Sequence, residues 1–263
     1  MPPSDEETSR RPGMPEQSDV VDEKILLTPE RRSARALTAP AGTTRQYRIL
    51  RTSETDPYDD PLQPEEVTTL GLERFAGFDE SFRGTSRKAA KVSIANAQVE
   101  EFEDLIDLIK TLPAEEVMTS HEPPITTDAT SGRVDKENRN VRVRAFLYAA
   151  SREDDNDYHL VMGRDPDLNP MYMTVEISGL PPQDSDHFSR LETAREAYKE
   201  FFGDDLPDAS YDFYDPPIPV EVEGSLFFDR SHSSGSRPGP SILRPDMPTI
   251  WELHPVTDTL FEP

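Results

Sequence analysis

The stretch NVRVRAFLYAASREDDNDYHLVM, residues 140–162, decides the fold class. Its first part alternates apolar and polar residues and puts Val141, Val143 and Ala145 on one face, which is the pattern of a half-buried β-strand. The polar run EDDND then reverses the chain into a second apolar segment, residues 157–162. The two segments together predict a β-hairpin.

Three more strands and one helix are predicted downstream of this hairpin, with strands over residues 171–178, 218–228 and 249–256. The helix follows the third strand: Asp186 can cap it, Leu191 and Tyr198 belong to its buried stripe, and Gly203 ends it. Five short strands with a helix between the third and the fourth predict a small, OB-like, partly closed barrel. A five-stranded α+β sandwich is the alternative.

The chain upstream of the hairpin is predicted to contain one more helix, preceded by disordered sequence. Residues 97–110 place Val99, Phe102 and Ile109 at helical spacing, with acids opposite. We therefore expect a mainly β protein with two helices over residues 85–263. Residues 1–84 combine a polar start, a basic stretch (24–51) and an acidic, proline-containing linker, which predicts a disordered, partly basic N-terminal arm.

Composition limits the classes of function. The chain has 263 residues and a formal net charge of −24, so we do not expect its acidic domain to bind nucleic acid. The basic stretch 24–51 is the exception: the alternatives for its partner are nucleic acid, another acidic molecule and the acidic part of the same chain. Cysteine is absent, which excludes disulfides and thiolate metal sites. The sequence has no membrane-spanning apolar run and no apolar segment near its start, so we expect no membrane contact and a cytoplasmic protein.

The best candidate site lies near the C-terminus. Asp229 and His232 follow the fourth strand, three residues apart, and Glu252 and His254 lie two apart on the last strand, hence on one face. If the two strands pair, the four side chains could hold a divalent ion such as Zn²⁺, Mn²⁺ or Fe²⁺. The structural alternative is that His254 donates to a backbone carbonyl and a carboxylate orders a turn. No other cofactor is predicted.

Weaker candidates lie in and after the hairpin. The acidic loop is either a Ca²⁺ site or a polar turn, and contains Glu153, Asp154, Asp155 and Asp157. His159 lies on the opposite face from Tyr158 and Leu160, and we expect it to be a packing residue. A calcium-loop spacing runs from Asp165 to Glu176, but Pro170 occupies the position that needs glycine.

Five motifs occur in order along the chain: REDDNDYHLVMG (152–163), TVEIS (174–178), ETAREAYKEFF (192–202), VEGSLFFDRSH (222–232) and WELHPV (251–256). This series resembles a family of uncharacterised bacterial proteins that carry EDD-x-DYHLVL, GFFD-x-x-H and ELHPV motifs. The resemblance covers roughly residues 88–256 and implies no activity, because the family has none assigned. Many members have a signal peptide and two cysteines; we expect no signal peptide here, and the sequence contains no cysteine.

Two functions are compatible with these patterns. Nucleotide, dinucleotide, serine-hydrolase and zinc-protease motifs are absent. The first hypothesis is therefore a non-enzymatic binding module that contacts a protein or a small ligand through loops of the barrel. The alternative is a metal-dependent hydrolase, of a phosphodiesterase or nuclease-like type, that uses Asp229, His232, Glu252 and His254.

Overall fold

The computed structural model describes residues 11–29, 44–56, 80–235 and 237–262. One sheet of eight strands dominates it, in the order β1-β2-β7-β8-β6-β5-β4-β3, and β7 also pairs with β4. The strands are β1 (Val20–Pro29), β2 (Thr44–Thr55), β3 (Val99–Phe102), β4 (Asn140–Arg152), β5 (Tyr158–Gly163), β6 (Tyr172–Ile177), β7 (Ser210–Phe228) and β8 (Trp251–Phe261). The α-helices are α1 (Lys88–Lys91), α2 (Leu105–Ile109), α3 (Glu115–Thr119) and α4 (Phe188–Phe202).

Five of the strands close into a ring because β7 pairs with both β8 and β4. The ring runs β4-β5-β6-β8-β7, and all of its pairs are antiparallel except β6–β8, which is parallel. Helix α4 lies between β6 and β7 in the chain, which are the third and fourth ring strands. The predicted mainly β, OB-like, partly closed barrel is thus confirmed, although the ring is not a regular barrel.

The two faces of the ring strands meet different surroundings. Leu160, Val175 and Leu253 belong to the large apolar core, which α4 joins through Tyr198 and Phe202. The opposite face of β5 carries Val161 in a second, smaller apolar cluster. That cluster includes Leu243 and Met247 from the β7–β8 connection, so this connection covers the outer face of the ring. Helix α4 ends at Gly203 as predicted, but it starts after His187 and Asp186 does not cap it.

The predicted helix over residues 97–110 is wrong in its first half. Val99–Phe102 is strand β3, parallel to β4, and the helix begins only at Leu105. Asp104 sets this start, because its side chain accepts a hydrogen bond from the backbone N–H of Ile106 at 3.0 Å. The described residues also contain two short helices, α1 and α3, that the sequence analysis did not predict.

The sheet begins well before residue 85, so a disordered arm over all of residues 1–84 is not what the structure shows. Strands β1 and β2 pair with each other, and β2 pairs with β7. Two arginines of the basic stretch lie against acids of the same chain: Arg48 donates to Asp215 at 2.8 Å and Arg51 to Asp212 at 2.7 Å. The remainder of the predicted arm and linker, residues 1–10, 30–43 and 57–79, lies outside the described residues.

No helix among the described residues is long and apolar enough to cross a membrane.

Candidate metal centre

A patch of buried polar residues lies on the outer face of β5, β6 and β8. His159 on β5 is directly opposite Glu176 on β6. Strand β6 runs beside β8 with Thr174 next to Glu252. Residues two apart share a face of a strand, so Glu176 and His254 lie on the same side as Glu252. Three neighbouring strands therefore present histidines and carboxylates on a single surface.

Loops at the ends of these strands add further ligand types to the patch. The β4–β5 loop supplies Glu153 and Asp157, and the chain after β7 supplies Asp229 and His232. The face of the second and third strands, with the first and last loops of the ring, is where OB-like barrels usually bind ligands. The patch lies at this position. Its chemistry has to be inferred from its own residues, because a shared fold does not imply a shared function.

The first group of potential ligands is Asp157, Glu176 and His254. One ligand atom from each lies within 4.8 Å of the others. His254 Nδ1 is 2.5 Å from Glu176 Oε2, and His254 Nε2 is 3.3 Å from Asp157 Oδ2. All three side chains are buried. We call this set the Asp157 triad.

The second group is Asp229, His232 and Glu252, whose ligand atoms also lie within 4.8 Å of one another. His232 Nδ1 contacts Asp229 Oδ2. The Glu252 carboxylate is 1% exposed, and neither of its oxygens has a hydrogen-bond partner in the described parts of the chain. A buried carboxylate without a partner is costly, and a bound cation is one way to compensate it. We call this set the Asp229 triad.

The four ligands expected from the sequence thus fall into two neighbouring triads. Asp229, His232 and Glu252 come together in one, and His254 belongs to the other, 3.9 Å from Glu252 (Nδ1 to Oε2). The structural alternative applies to Asp229, which also orders a turn by accepting from the N–H and hydroxyl of Ser231. It does not describe His254, whose ring faces carboxylates.

A third group, Asp56, Glu153 and His159, adjoins the Asp157 triad. His159 Nδ1 is 2.9 Å from Glu153 and 3.6 Å from Glu176, so His159 links the two groups rather than only packing. Asp56 accepts hydrogen bonds from the Tyr211 hydroxyl and from the backbone of residue 239. Two acids of the β4–β5 loop, Glu153 and Asp157, enter different groups, which does not fit a Ca²⁺ site formed by that loop alone.

Burial controls the charges of the cluster. Burial raises the pKa of Glu252 well above its usual value, and the nearby Glu176 and Asp229 raise it further. The pKa of Asp157 rises for the same reason. Burial lowers the pKa of His254 to about 4, which leaves its imidazole neutral at pH 7, the form that binds metals.

Positive charge near the cluster comes from Lys91 and from two of its histidines. Lys91 on α1 is 4% exposed. Its charge lowers the pKa values of Asp157, Glu176, Asp229 and Glu252. Burial disfavours the charged forms of His159 and His232, but hydrogen bonds with Glu153 and Asp229 raise their pKa values above the usual one, so these imidazoles add positive charge beside the carboxylates.

Searches of protein-family models, of curated proteins and of solved structures find no match for this chain. The resemblance to the bacterial family consequently stays a prediction.

Proposed function

We propose that this protein is a metalloprotein that holds a divalent transition-metal ion in the buried cluster. The observation that carries the proposal is Glu252, a fully buried carboxylate without a hydrogen-bond partner in the part of the chain that the structure describes, lying among two histidines and three further acids. Desolvating a carboxylate costs several kcal/mol when nothing compensates it. An ion bound at this point offsets that cost.

The donor set favours certain ions. Each triad offers one imidazole nitrogen and two carboxylate oxygens. Zn²⁺, Mn²⁺ and Fe²⁺ accept this mixture, whereas Ca²⁺ and Mg²⁺ prefer oxygen alone. Because the His254 imidazole is neutral at pH 7, it can bind an ion without first releasing a proton.

The number of protein ligands supports hydrolysis as the reaction. Structural zinc sites usually have four protein ligands, whereas catalytic sites have three and a water molecule in the fourth position. Each triad supplies three. An ion there would lower the pKa of its bound water and generate a nucleophile at neutral pH. We propose a hydrolase, with phosphodiesters as the first substrate class, because a metal ion stabilises the charge that develops on a phosphoryl group.

Metal content is the first test. The full chain is purified without chelator and analysed by mass spectrometry, together with His254→Ala and with His187→Ala as the control, since His187 lies at the start of α4 outside the cluster. We expect near-stoichiometric Zn, Mn or Fe in the wild type and the control, and a reduced content in His254→Ala. A wild-type protein that neither retains nor takes up these ions would refute the proposal and favour the non-enzymatic binding module.

The reaction has its own test. Chelator-treated protein is reconstituted with each ion and assayed with bis(p-nitrophenyl) phosphate as the probe. Turnover that requires the ion and falls at least tenfold in His254→Ala, but not in His187→Ala, would support hydrolysis. Turnover that persists after removal of the metal would contradict it.

A further inference from the structure

We infer that the cluster holds two metal ions side by side, one in each triad, with Glu252 between them. The inference rests on the proposed metal centre and specifies its composition. Two-metal sites place their ions about 3.5–4 Å apart, where they act together on the attacking and leaving oxygens of a displacement.

The potential ligands fall into two sets. One ligand atom from each residue of a triad lies within 4.8 Å of the others. The two triads share no residue, and they meet where Glu252 Oε2 lies 3.9 Å from His254 Nδ1. Because each triad by itself offers three ligands, the arrangement favours one ion in each.

Glu252 is placed to serve both ions. It belongs to the Asp229 triad and is two residues from His254 on the same face of β8. Both of its oxygens lack hydrogen-bond partners among the residues that the structure describes, so each is available to a different ion. By contrast, Asp229 uses one oxygen on the Ser231 turn and the other on His232.

The third group does not need an ion of its own. Glu153 is hydrogen-bonded to His159 at 2.9 Å, and Asp56 accepts from Tyr211 at 2.7 Å. Neither carboxylate resembles Glu252, both of whose oxygens lack a hydrogen-bond partner among the described residues. His159 also lies 3.6 Å from Glu176, and we assign it as a positioning residue for that ligand.

The test is the number of ions per chain. Chelator-treated full-length protein is titrated with Mn²⁺ by calorimetry, and bound manganese is counted by mass spectrometry after desalting. We expect two ions in the wild type and in His187→Ala, and one in either His254→Ala or His232→Ala, because each removes a ligand from one triad only. Electron paramagnetic resonance of the wild type should show the exchange-coupled spectrum of a manganese pair.

Glu252→Gln tests the bridging position. We expect it to weaken binding of both ions and to abolish the coupled spectrum, with circular dichroism and the unfolding transition showing that the variant is folded. One ion per wild-type chain, or two ions with uncoupled six-line spectra, would overturn the paired site but would still agree with the proposed metal centre. No ion in the wild type would instead overturn the proposed function.

Discussion

At the level of single residues, Asp104 makes two contacts that mutations can separate. It caps α2 through the Ile106 N–H, and its carboxylate accepts from Arg164 Nε at 2.8 Å and Nη2 at 2.6 Å. The Arg164 hydrogen bond lowers the pKa of Asp104. An acid whose pKa is lower in the folded state adds stability above its unfolded pKa, about 3.9, and loses it as the pH falls through the folded pKa.

Asp104→Asn keeps a good cap and removes the charge. We expect it to lower the free energy of unfolding by roughly 0.5–1 kcal/mol at pH 7, and the difference from the wild type to shrink toward zero near pH 2. Asp104→Ala should cost about 1 kcal/mol more than Asp104→Asn at both pH values, because the cap is lost as well. Urea unfolding at the two pH values measures both effects. An Asn variant as stable as the wild type at pH 7 would contradict this account.

At the level of elements, β1 offers a direct check that the N-terminal strands belong to the fold. Leu26 is 5% exposed and packs in the main core, while its neighbour Leu27 is 60% exposed. Leu26→Ala should lower the free energy of unfolding by about 2–5 kcal/mol, since it leaves a cavity, and Leu27→Ala should change it by at most about 0.5 kcal/mol. Equal effects in chemical denaturation would show that β1 does not pack as described.

The elements also differ in how far local sequence determines them. The five ring strands and α4 could be predicted because their apolar periodicity is clear within each segment. Strand β3 could not, because its acids are satisfied by arginines about forty residues away: Glu100 pairs with Arg139 and Glu101 with Arg142, each at 2.7 Å. Strands β1 and β2 could not be predicted for a similar reason. Strand β2 is rich in arginine, and the acids that pair with these arginines, such as Asp212, lie on β7.

At the level of the whole molecule, the cluster could be predicted only in part. Asp229, His232, Glu252 and His254 stand close together in sequence near the ends of two strands. Glu176 and Asp157 join them only through the parallel β6–β8 pairing and the β4–β5 loop, which are consequences of the closed ring. One local signal was present: His159 and Glu176 are ionisable residues within predicted strands that are otherwise mostly apolar. Such residues usually need a partner.

The whole-molecule consequence of a metal centre is a link between ion binding and stability. A ligand that binds only the folded state stabilises it by about 2.7 kcal/mol at a concentration of 100 times Kd. At about 100 times Kd, Zn²⁺ or Mn²⁺ should therefore raise the free energy of unfolding of the wild type and of His187→Ala by about 2.7 kcal/mol.

Most substitutions of buried residues lower the free energy of unfolding. We expect Glu252→Gln to be an exception when no metal is bound. The amide replaces a carboxylate whose oxygens have no hydrogen-bond partner in the described ranges, so the ion-free variant should be at least as stable as the ion-free wild type. Its stabilisation by metal should be much smaller, because the shared ligand is lost. Denaturation with and without the ion gives both quantities for the same protein. If the variant is less stable without metal and fully stabilised by it, Glu252 is a structural residue and not a ligand.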